Sequence, residues 1–312
     1  MAVDRVLFLG SKALGAAFLA ALHRLEPGAL IGAITIDDRH DVRTAFNEIA
    51  AYCNSQGIPL HVARNRAHSE TLIRELAPQL CMVSGWYWIL SPSILSSVPH
   101  GFIGSHFSLL PKYRGGSPLV WALINGEPEV GVSLFSFVEG VDEGCIWAQQ
   151  RVPVGADEYI GDVLQRLEAA TLHTLDTRYR AILNGEVHPV EQDHSAATYC
   201  AVRSPCDGEI YWRSPAADVF NFIRAQSHPY PGAFTWLEGV RLTIWRARRD
   251  SAIHYGTPGQ VSMVAPNGVH VVCGDHRAII VETVEREGVC EDAAKILKSV
   301  SIRLSAGARG EA

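Results

Sequence analysis

In the first third of the chain, short apolar segments alternate with stretches of helical periodicity, and this alternation restricts the fold more than any other feature. The apolar segments predict strands, and the stretches between them carry apolar residues at helix-like intervals. This order is typical of a mostly parallel, doubly wound, Rossmann-like α/β sheet. The predicted strands span 5–9, 30–36, 59–62, 80–83 and 102–106, and the predicted helices span 14–25, 42–55 and 70–76.

The rest of the chain reads as a long helix, a polar stretch and a series of short apolar runs. Runs of this kind between Gly and Pro turns are typical of a small β-barrel. We therefore expect a larger α/β domain at 1–200 and an OB-like β-barrel domain at 206–312, with a candidate linker at 186–205 and a flexible tail beyond Ser301. The helices are predicted at 157–183 and 215–225, and the barrel strands at 234–237, 242–246, 260–264, 270–273 and 278–281.

One His and one Asp occupy loops framed by Gly and Pro. His106 ends the strand at 102–106, which is where open α/β sheets place their chemistry, and a later strand at 130–138 leads to Asp142. An imidazole and a carboxylate that meet in this way suit proton transfer at a carbonyl centre attacked by an amine. Without further information, His106 could equally just end a strand and Asp142 close a turn.

The run from His106 to Gly115 reads His-x-Ser-Leu-Leu-Pro-Lys-Tyr-Arg-Gly, followed at fixed spacing by Ser-Pro, Asn-Gly-Glu, Gly-Val-Ser and Asp-x-Gly. It resembles the 10-formyltetrahydrofolate-dependent formyltransferases. The sugar-amine (4-amino-4-deoxyarabinose-type) N-formyltransferases are the closest pattern, and methionyl-tRNA formyltransferase is a more distant cousin. The resemblance extends from Val6 to about Val284 and includes the start of the small C-terminal barrel.

The resemblance implies an N-formyltransferase that moves a formyl group from 10-formyltetrahydrofolate to a primary amine, with the domain at 1–200 as the catalytic one. It carries over His106 and Asp142 as catalytic residues. Residues after two strand ends would line the pterin, mainly through backbone groups, and core packing is the competing interpretation for the aromatic rings at 85–90. The implied cofactor-lining residues are Trp88, Ile89, Leu90, Val138, Glu139, Gly140, Val141 and Asp142.

Two positions depart from the family pattern. The family places an Asn two residues before the His, where this chain has Gly104. Losing one oxyanion donor typically costs about 100- to 1000-fold in turnover. Ser105 cannot substitute simply, because neighbouring side chains of a strand point to opposite faces. A water in the freed space, or a specialised or weakened catalyst, would fit. Gly116 stands where the arabinose-type enzymes carry an Arg, which favours a different amine acceptor.

Net charge bears on the acceptor. The chain carries a formal charge of −6 without a Lys/Arg-rich run, and the loop at 37–43 is short and of mixed sign. Nucleic-acid binding normally needs a clustered positive surface. We expect a small-metabolite amine such as an amino sugar, and no nucleic acid. The Gly104 departure leaves other possibilities open: another folate one-carbon reaction, hydrolysis of formyl-folate, or a non-catalytic folate- or sugar-binding protein.

The seven Cys are scattered without a Cys-x-x-Cys pair or a partner at zinc spacing, so we expect reduced thiols and no metal. No run of 18 apolar residues occurs, and the N-terminus passes directly into a strand. These features predict no membrane span, no secretory leader and a cytoplasmic location. The sequence leaves a homo-oligomer open.

Overall fold

The computed structural model describes residues 3–41 and 43–305. The chain forms two compact units, each assembled from separate stretches. The first unit contains residues up to Gly115 together with Val130–Val152 and Arg166–Cys200, and the second contains Gly116–Glu129, Pro153–Gln165 and the residues from Ala201 onwards.

The first unit is built on a seven-stranded sheet of order β3-β2-β1-β4-β5-β7-β8. The pairs from β3 to β5 are parallel, and β7 runs antiparallel to β5. The predicted mostly parallel, Rossmann-like sheet is thereby confirmed. The strands are β1 (Val6–Gly10), β2 (Leu30–Ile36), β3 (Leu60–Ala63), β4 (Leu80–Ser84), β5 (Phe102–His106), β6 (Arg114–Gly115), β7 (Glu129–Ser136), β8 (Ile146–Pro153) and β9 (Tyr199–Cys200).

Helices cover both faces of this sheet because successive strand residues point to opposite sides. On β1, Val6 and Phe8 enter a core cluster that includes Phe18 and Tyr179, whereas Leu7 enters a second cluster with Ile73. A sheet buried on both faces requires the near-continuous apolar strands of this sequence. The helices that precede the second sheet in the chain are α1 (Lys12–Leu25), α2 (Phe46–Gln56), α3 (Arg66–Leu76), α4 (Pro92–Leu95), α5 (Pro118–Ile124) and α6 (Ile160–Leu183); of these, α5 belongs to the second unit and α6 begins in it.

The second unit contains a six-stranded sheet whose central order is β10-β11-β14-β13-β12, with β15 paired to β14. Its pairs are antiparallel. The predicted β-rich character of the C-terminal region is confirmed, and its strands form an antiparallel sheet. Its elements are α7 (Ala216–Arg224), β10 (Ala233–Leu237), β11 (Val240–Ile253), β12 (Val261–Ala265), β13 (Gly268–Val272), β14 (Arg277–Arg286), β15 (Val289–Asp292) and α8 (Ala293–Ile296).

The prediction of a flexible tail beyond Ser301 is corrected for residues 302–305. Ser305 exchanges two backbone hydrogen bonds of 3.1 Å with Trp236 of β10, and the carbonyl of Ile302 accepts from Val261 of β12. Leu304 is buried in the core. The segment therefore hydrogen-bonds to both edge strands of the sheet, as closure of a barrel requires. The remainder of the predicted tail, 306–312, lies outside the described residues.

Other differences concern elements whose sequence signal is weak. The second helix begins at Phe46 rather than at 42, a position outside the described residues, and β8 and β15 were not predicted. Strand β11 is much longer than expected because it pairs with β14 through three register shifts. Among the helices of the described part of the chain, none combines the length and apolarity needed to cross a bilayer.

Candidate active site

His106 ends β5 and is held by the loop that follows it. Its Nε2 lies 2.8 Å from the carbonyl oxygen of Tyr113, a residue with φ of +59°. A carbonyl oxygen can only accept, so this contact assigns the proton of the neutral ring to Nε2. The lone pair of His106 therefore lies at Nδ1, on the side of the ring that faces Asp142.

Asp142 lies in the loop after β7, again in the left-handed region with φ of +50°. Its Oδ2 accepts a 2.7 Å hydrogen bond from the backbone N–H of Gly115 and lies 3.6 Å from Nδ1 of His106. The structure thus brings together the two residues predicted from the motif. The separation exceeds a hydrogen bond, so Nδ1 keeps its lone pair beside a carboxylate that is already oriented.

A buried pair of side chains, Arg114 and Gln192, links the loop after β5 to the loop after β7. We call this pair the Arg114–Gln192 bracket; nothing in the sequence indicated it. The guanidinium of Arg114 is fully buried and donates through Nε and Nη2 to Oε1 of Gln192, at 3.1 and 2.8 Å. The amide nitrogen of Gln192 donates in turn to the carbonyls of Asp142 and Gly144, at 2.8 and 2.7 Å. The buried guanidinium and the buried amide thus have hydrogen-bond partners, as buried polar groups require. Arg114 therefore shapes the loop, and Gln192 positions the backbone that carries Asp142.

Gln192 belongs to the segment interpreted from the sequence as a linker. This segment folds back onto the motif loop: Tyr113 donates its backbone N–H to Thr198 Oγ1 at 2.8 Å, and β6 pairs with β9. Its polar composition gave the signal of a linker, because the residues bury polar side chains against other polar groups. Only knowledge of the distant partner of Arg114 would have shown that this segment is folded. The periodicity of a sequence carries no information on such long-range polar contacts.

The position of the missing Asn is occupied by an aromatic ring. A Cβ added to Gly104 would lie 2.4 Å from Cε1 and 2.7 Å from Cζ of Phe137. Phe137 stacks obliquely on Phe135, whose ring meets His106 edge-on with 6.0 Å between centroids. A water beside Gly104 was one of the possibilities that the sequence left open; the structure places the ring of Phe137 there, which presents no hydrogen-bond donor to the site.

Steric contact with Val202 explains why position 116 is a glycine. A Cβ at this position would lie 2.7 Å from Cγ2 and 2.8 Å from Cα of Val202. Real Cβ atoms do not approach a backbone atom so closely, so a larger residue would displace the chain at Val202. Local packing in this chain therefore excludes the Arg that the arabinose-type pattern carries here.

The residues carried over as cofactor-lining occupy different environments. Ile89 and Val138 are exposed, as are Glu139 and Val141, and Gly140 is half-buried. Trp88 is half-buried and meets Trp86 edge-on, with 5.3 Å between centroids, while Leu90 lies in the core. Leu90 could therefore contribute only its backbone, and both Trp rings pack against the core as the competing interpretation had it.

An ionic cluster lies at the ends of β1 and β2. Lys12 Nζ lies 2.9 Å from Asp38 and 2.7 Å from Asp41, and Tyr87 donates to both carboxylates. Burial opposes ionisation of Asp38, but hydrogen bonds from Thr44 and Lys12 outweigh it and hold the pKa of that carboxyl below its usual range. Burial likewise opposes the charge of Lys12, yet its bond to Asp41 raises the pKa of the ammonium. Lys12 therefore stays charged, and the carboxylates of Asp38 and Asp41 balance its charge.

Comparison with known protein families gives matches across both units. The family described as "Formyl transferase" matches residues 5–177. The family described as "Formyl transferase, C-terminal domain" matches residues 203–300. Together the two matches include the His106–Asp142 loops and most of the antiparallel sheet.

Individual relatives show the same two-part likeness. A methionyl-tRNA formyltransferase from Anaeromyxobacter dehalogenans is 35% identical over 292 residues, covering 91% of this chain and 93% of the relative. Among solved structures, an N-formyltransferase from Helicobacter canadensis in complex with folinic acid and dTDP-3-aminofucose superposes with a TM-score of 0.68 at 15% identity, over 89% of this chain and 98% of that one. A methionyl-tRNA formyltransferase from Clostridium thermocellum gives 0.58 at 17%, over 91% and 99%.

Proposed function

The chain belongs to the formyltransferase family, in its N-terminal and C-terminal parts alike, and acts in folate-dependent formyl transfer; from that premise we propose that it formylates a primary amine of a small metabolite, an amino sugar, with His106 as the proton-transfer residue. The observation that carries the proposal is the geometry of the pair. His106 keeps its lone pair at Nδ1, 3.6 Å from a carboxylate already fixed by the backbone of Gly115.

The proposed chemistry follows from that geometry. 10-Formyltetrahydrofolate supplies the formyl carbon. As the amine nitrogen bonds to that carbon, Nδ1 of His106 takes the amine proton, and Asp142 stabilises the resulting imidazolium. When the bond from the formyl carbon to the folate nitrogen breaks, the imidazolium returns the proton to that nitrogen. Nε2 stays bonded to Tyr113 throughout, so the ring does not need to rotate.

Phe137 changes how negative charge on the formyl oxygen is held. The family pattern supplies an Asn amide at this point, whereas Phe137 covers Gly104 with an apolar ring. We propose that the imidazolium of His106 carries most of this stabilisation. A water-excluding aromatic wall strengthens that interaction, because charges attract more strongly in a low dielectric.

One further observation supports folate binding by the residues of this chain. Ser84 Oγ and Trp86 Nε1, at the end of β4, are buried and make no hydrogen bond to the described residues. Ile89, Val138 and Val141 are exposed apolar side chains in the two loops carried over as cofactor-lining. Apolar side chains together with a few polar groups that lack a partner are typical of a small-molecule site. We propose that these loops bind the donor.

Two observations support a small acceptor. The charge is −6, and the cations of the loop after β2 are paired with its own carboxylates, Arg39 with Asp37 and Arg43 with Asp41. Binding the many phosphates of a tRNA backbone would require a cluster of free positive charge there. The structural relative from Helicobacter canadensis was solved in complex with dTDP-3-aminofucose, which supports an amino sugar linked to a nucleotide as the class to test first.

A second candidate acceptor is methionyl-tRNA, and identity to a named methionyl-tRNA formyltransferase over 91% of the chain favours it. The deciding experiment offers purified protein 10-formyltetrahydrofolate with a panel of nucleotide-linked amino sugars and, separately, charged initiator tRNA. Product is identified by mass. Formylated sugar with wild type and none with His106→Ala would support the proposal, and formyl-methionyl-tRNA alone would replace it with the second candidate. Folate turnover without either product would overturn both.

A further inference from the structure

A carboxylate and two imidazoles meet in the second unit, and none of the three residues has a role in the site described above. Asp250 Oδ2 lies 2.8 Å from Nε2 of His254 and 2.6 Å from Nδ1 of His270. The three side chains are 12%, 14% and 8% exposed. Their three ligand atoms all lie within 4.8 Å of one another. The cluster is therefore nearly enclosed but still borders solvent.

The strands bring these residues together from distant positions. Asp250 lies on β11 and His270 on β13, and both strands pair with β14, where Ile280 is opposite Arg248 on one side and His270 on the other. His254 follows the end of β11. Two ligands come from one strand and its end and the third from another strand, so the sequence shows no metal spacing.

We propose that Asp250, His254 and His270 form a binding site for a divalent transition-metal ion of the zinc class. Two imidazole nitrogens and one carboxylate oxygen suit zinc, and they do not suit the hard, oxygen-seeking Mg²⁺ or Ca²⁺. Three protein ligands leave a fourth coordination position for water, since zinc favours four.

Ser262 supports this assignment because it allows the required tautomer. Its Oγ lies 2.9 Å from Nδ1 of His254 and 3.3 Å from the carbonyl oxygen of His270. When the hydroxyl of Ser262 donates to that carbonyl, its oxygen can accept a hydrogen bond from Nδ1–H of His254. The lone pair of His254 is then at Nε2, where it is free to bind a metal. Ligating histidines commonly have such a partner on the other nitrogen.

The present distances are those of hydrogen bonds to the shared carboxylate oxygen. Bonds of about 2.0–2.2 Å to zinc place tetrahedral ligand atoms roughly 3.3–3.5 Å apart. A metal would therefore replace the ring protons and increase the distances from Oδ2 to the two nitrogens by roughly 0.5–0.9 Å. A modest rotation of the Asp250 side chain supplies that movement, and the bond from Ala252 N–H to its Oδ1, at 3.0 Å, limits how far it turns.

The test is calorimetric titration of chelator-treated full-length protein with Zn²⁺. We expect one zinc per chain and a higher melting temperature at saturation, because an ion that binds only the folded state stabilises it. Asp250→Asn and His254→Gln should abolish both effects, and Ser262→Ala should weaken binding about tenfold. His276→Ala, an exposed histidine of the same unit, and His106→Ala should bind as wild type does.

Each outcome decides the proposal without reference to formyl transfer. Folded wild type that takes up no zinc would overturn it, and so would zinc binding that survives both ligand substitutions. Should Asp250→Asn fail to fold, His254→Gln and Ser262→Ala carry the test. Co²⁺ provides an independent readout, because its visible spectrum should report the coordination and be lost in His254→Gln.

Discussion

Within the described residues, one carboxylate–imidazole cluster lies in each unit, and the two clusters are held in opposite ways. In the first, Nδ1 of His106 stays 3.6 Å from Asp142, whose oxygen is committed to a backbone N–H of Gly115. In the second, one oxygen of Asp250 lies within hydrogen-bond distance of two imidazoles, at 2.8 and 2.6 Å. The first arrangement leaves a lone pair available, and the second occupies the nitrogens.

The difference teaches that a His and an Asp close together do not define a function. A proton-transfer residue must have a free nitrogen facing the substrate and a partner that stabilises its charged form. Ligands for a structural or bound ion instead converge on one point. His106 is oriented by backbone groups that cannot take its proton, whereas His254 and His270 are oriented by the carboxylate itself. The comparison predicts that equivalent substitutions will have opposite effects on activity and on stability.

The largest expected effect is on turnover at the first pair. His106→Ala should lower formyl transfer by about 100- to 10,000-fold, the usual contribution of a positioned acid–base group. His254→Ala should leave the transfer rate at the wild-type level, because His254 has no proposed role in the reaction. Initial rates with the identified acceptor measure both. Equal losses in the two variants would remove the distinction between the clusters.

Replacing each carboxylate by an amide should separate the effect on turnover from the effect on stability. Asp142→Asn keeps an acceptor for Gly115 but loses the attraction to imidazolium, so turnover should fall by about 100-fold, or roughly 3 kcal/mol. Asp250→Asn should leave turnover intact and lower the free energy of unfolding by about 1–3 kcal/mol, because its imidazole partners lose a charged acceptor. Steady-state rates and urea unfolding of both variants check this crossed pattern. A stability loss at Asp142 as large as at Asp250 would contradict it.

The first pair could be predicted from sequence because the motif that carries the family resemblance occupies one short stretch of the chain. Strand ends and glycine-framed loops place His106 and Asp142, and the bounds of β2 and β5 agree with the predicted ones. The second cluster could not be predicted, since His270 joins through pairing with β14. Phe137 was missed for a related reason: the ring covers Gly104 from another strand end. Gln192 was missed because it stabilises a distant loop through polar contacts that carry no periodic pattern.

Restoring the family's amide tests how far the ring of Phe137 has replaced it. Gly104→Asn alone should cost stability, about 1–3 kcal/mol, because its Cβ would overlap Phe137. Phe137→Ala alone opens space without adding a donor. The double variant should transfer formyl groups about 10- to 100-fold faster than Phe137→Ala alone, since one donor is regained. Rates of the four proteins form a double-mutant cycle. A double variant no faster than Phe137→Ala would show that the site stabilises the oxyanion without any amide at this position.

The smallest expected effect concerns the Arg114–Gln192 bracket, which holds the backbone of Asp142. A second pair, Arg203 and Gln226, offers a matched control. Gln192 and Gln226 are equally buried, and each accepts from an arginine, Arg114 and Arg203 respectively. The amide of Gln192 donates to two backbone carbonyls, and that of Gln226 donates to one. Replacing either by Ala leaves a guanidinium with fewer acceptors, so both should lower the free energy of unfolding by about 1–3 kcal/mol.

The two variants should differ in catalysis alone. In Gln192→Ala the carbonyl of Asp142 loses its donor, the carboxylate drifts from His106, and kcat should fall about tenfold with KM for the folate little changed. Gln226→Ala should change neither kcat nor KM. If both variants lowered kcat alike, the loss would come from general loosening, and Gln192 would have no positioning role for Asp142.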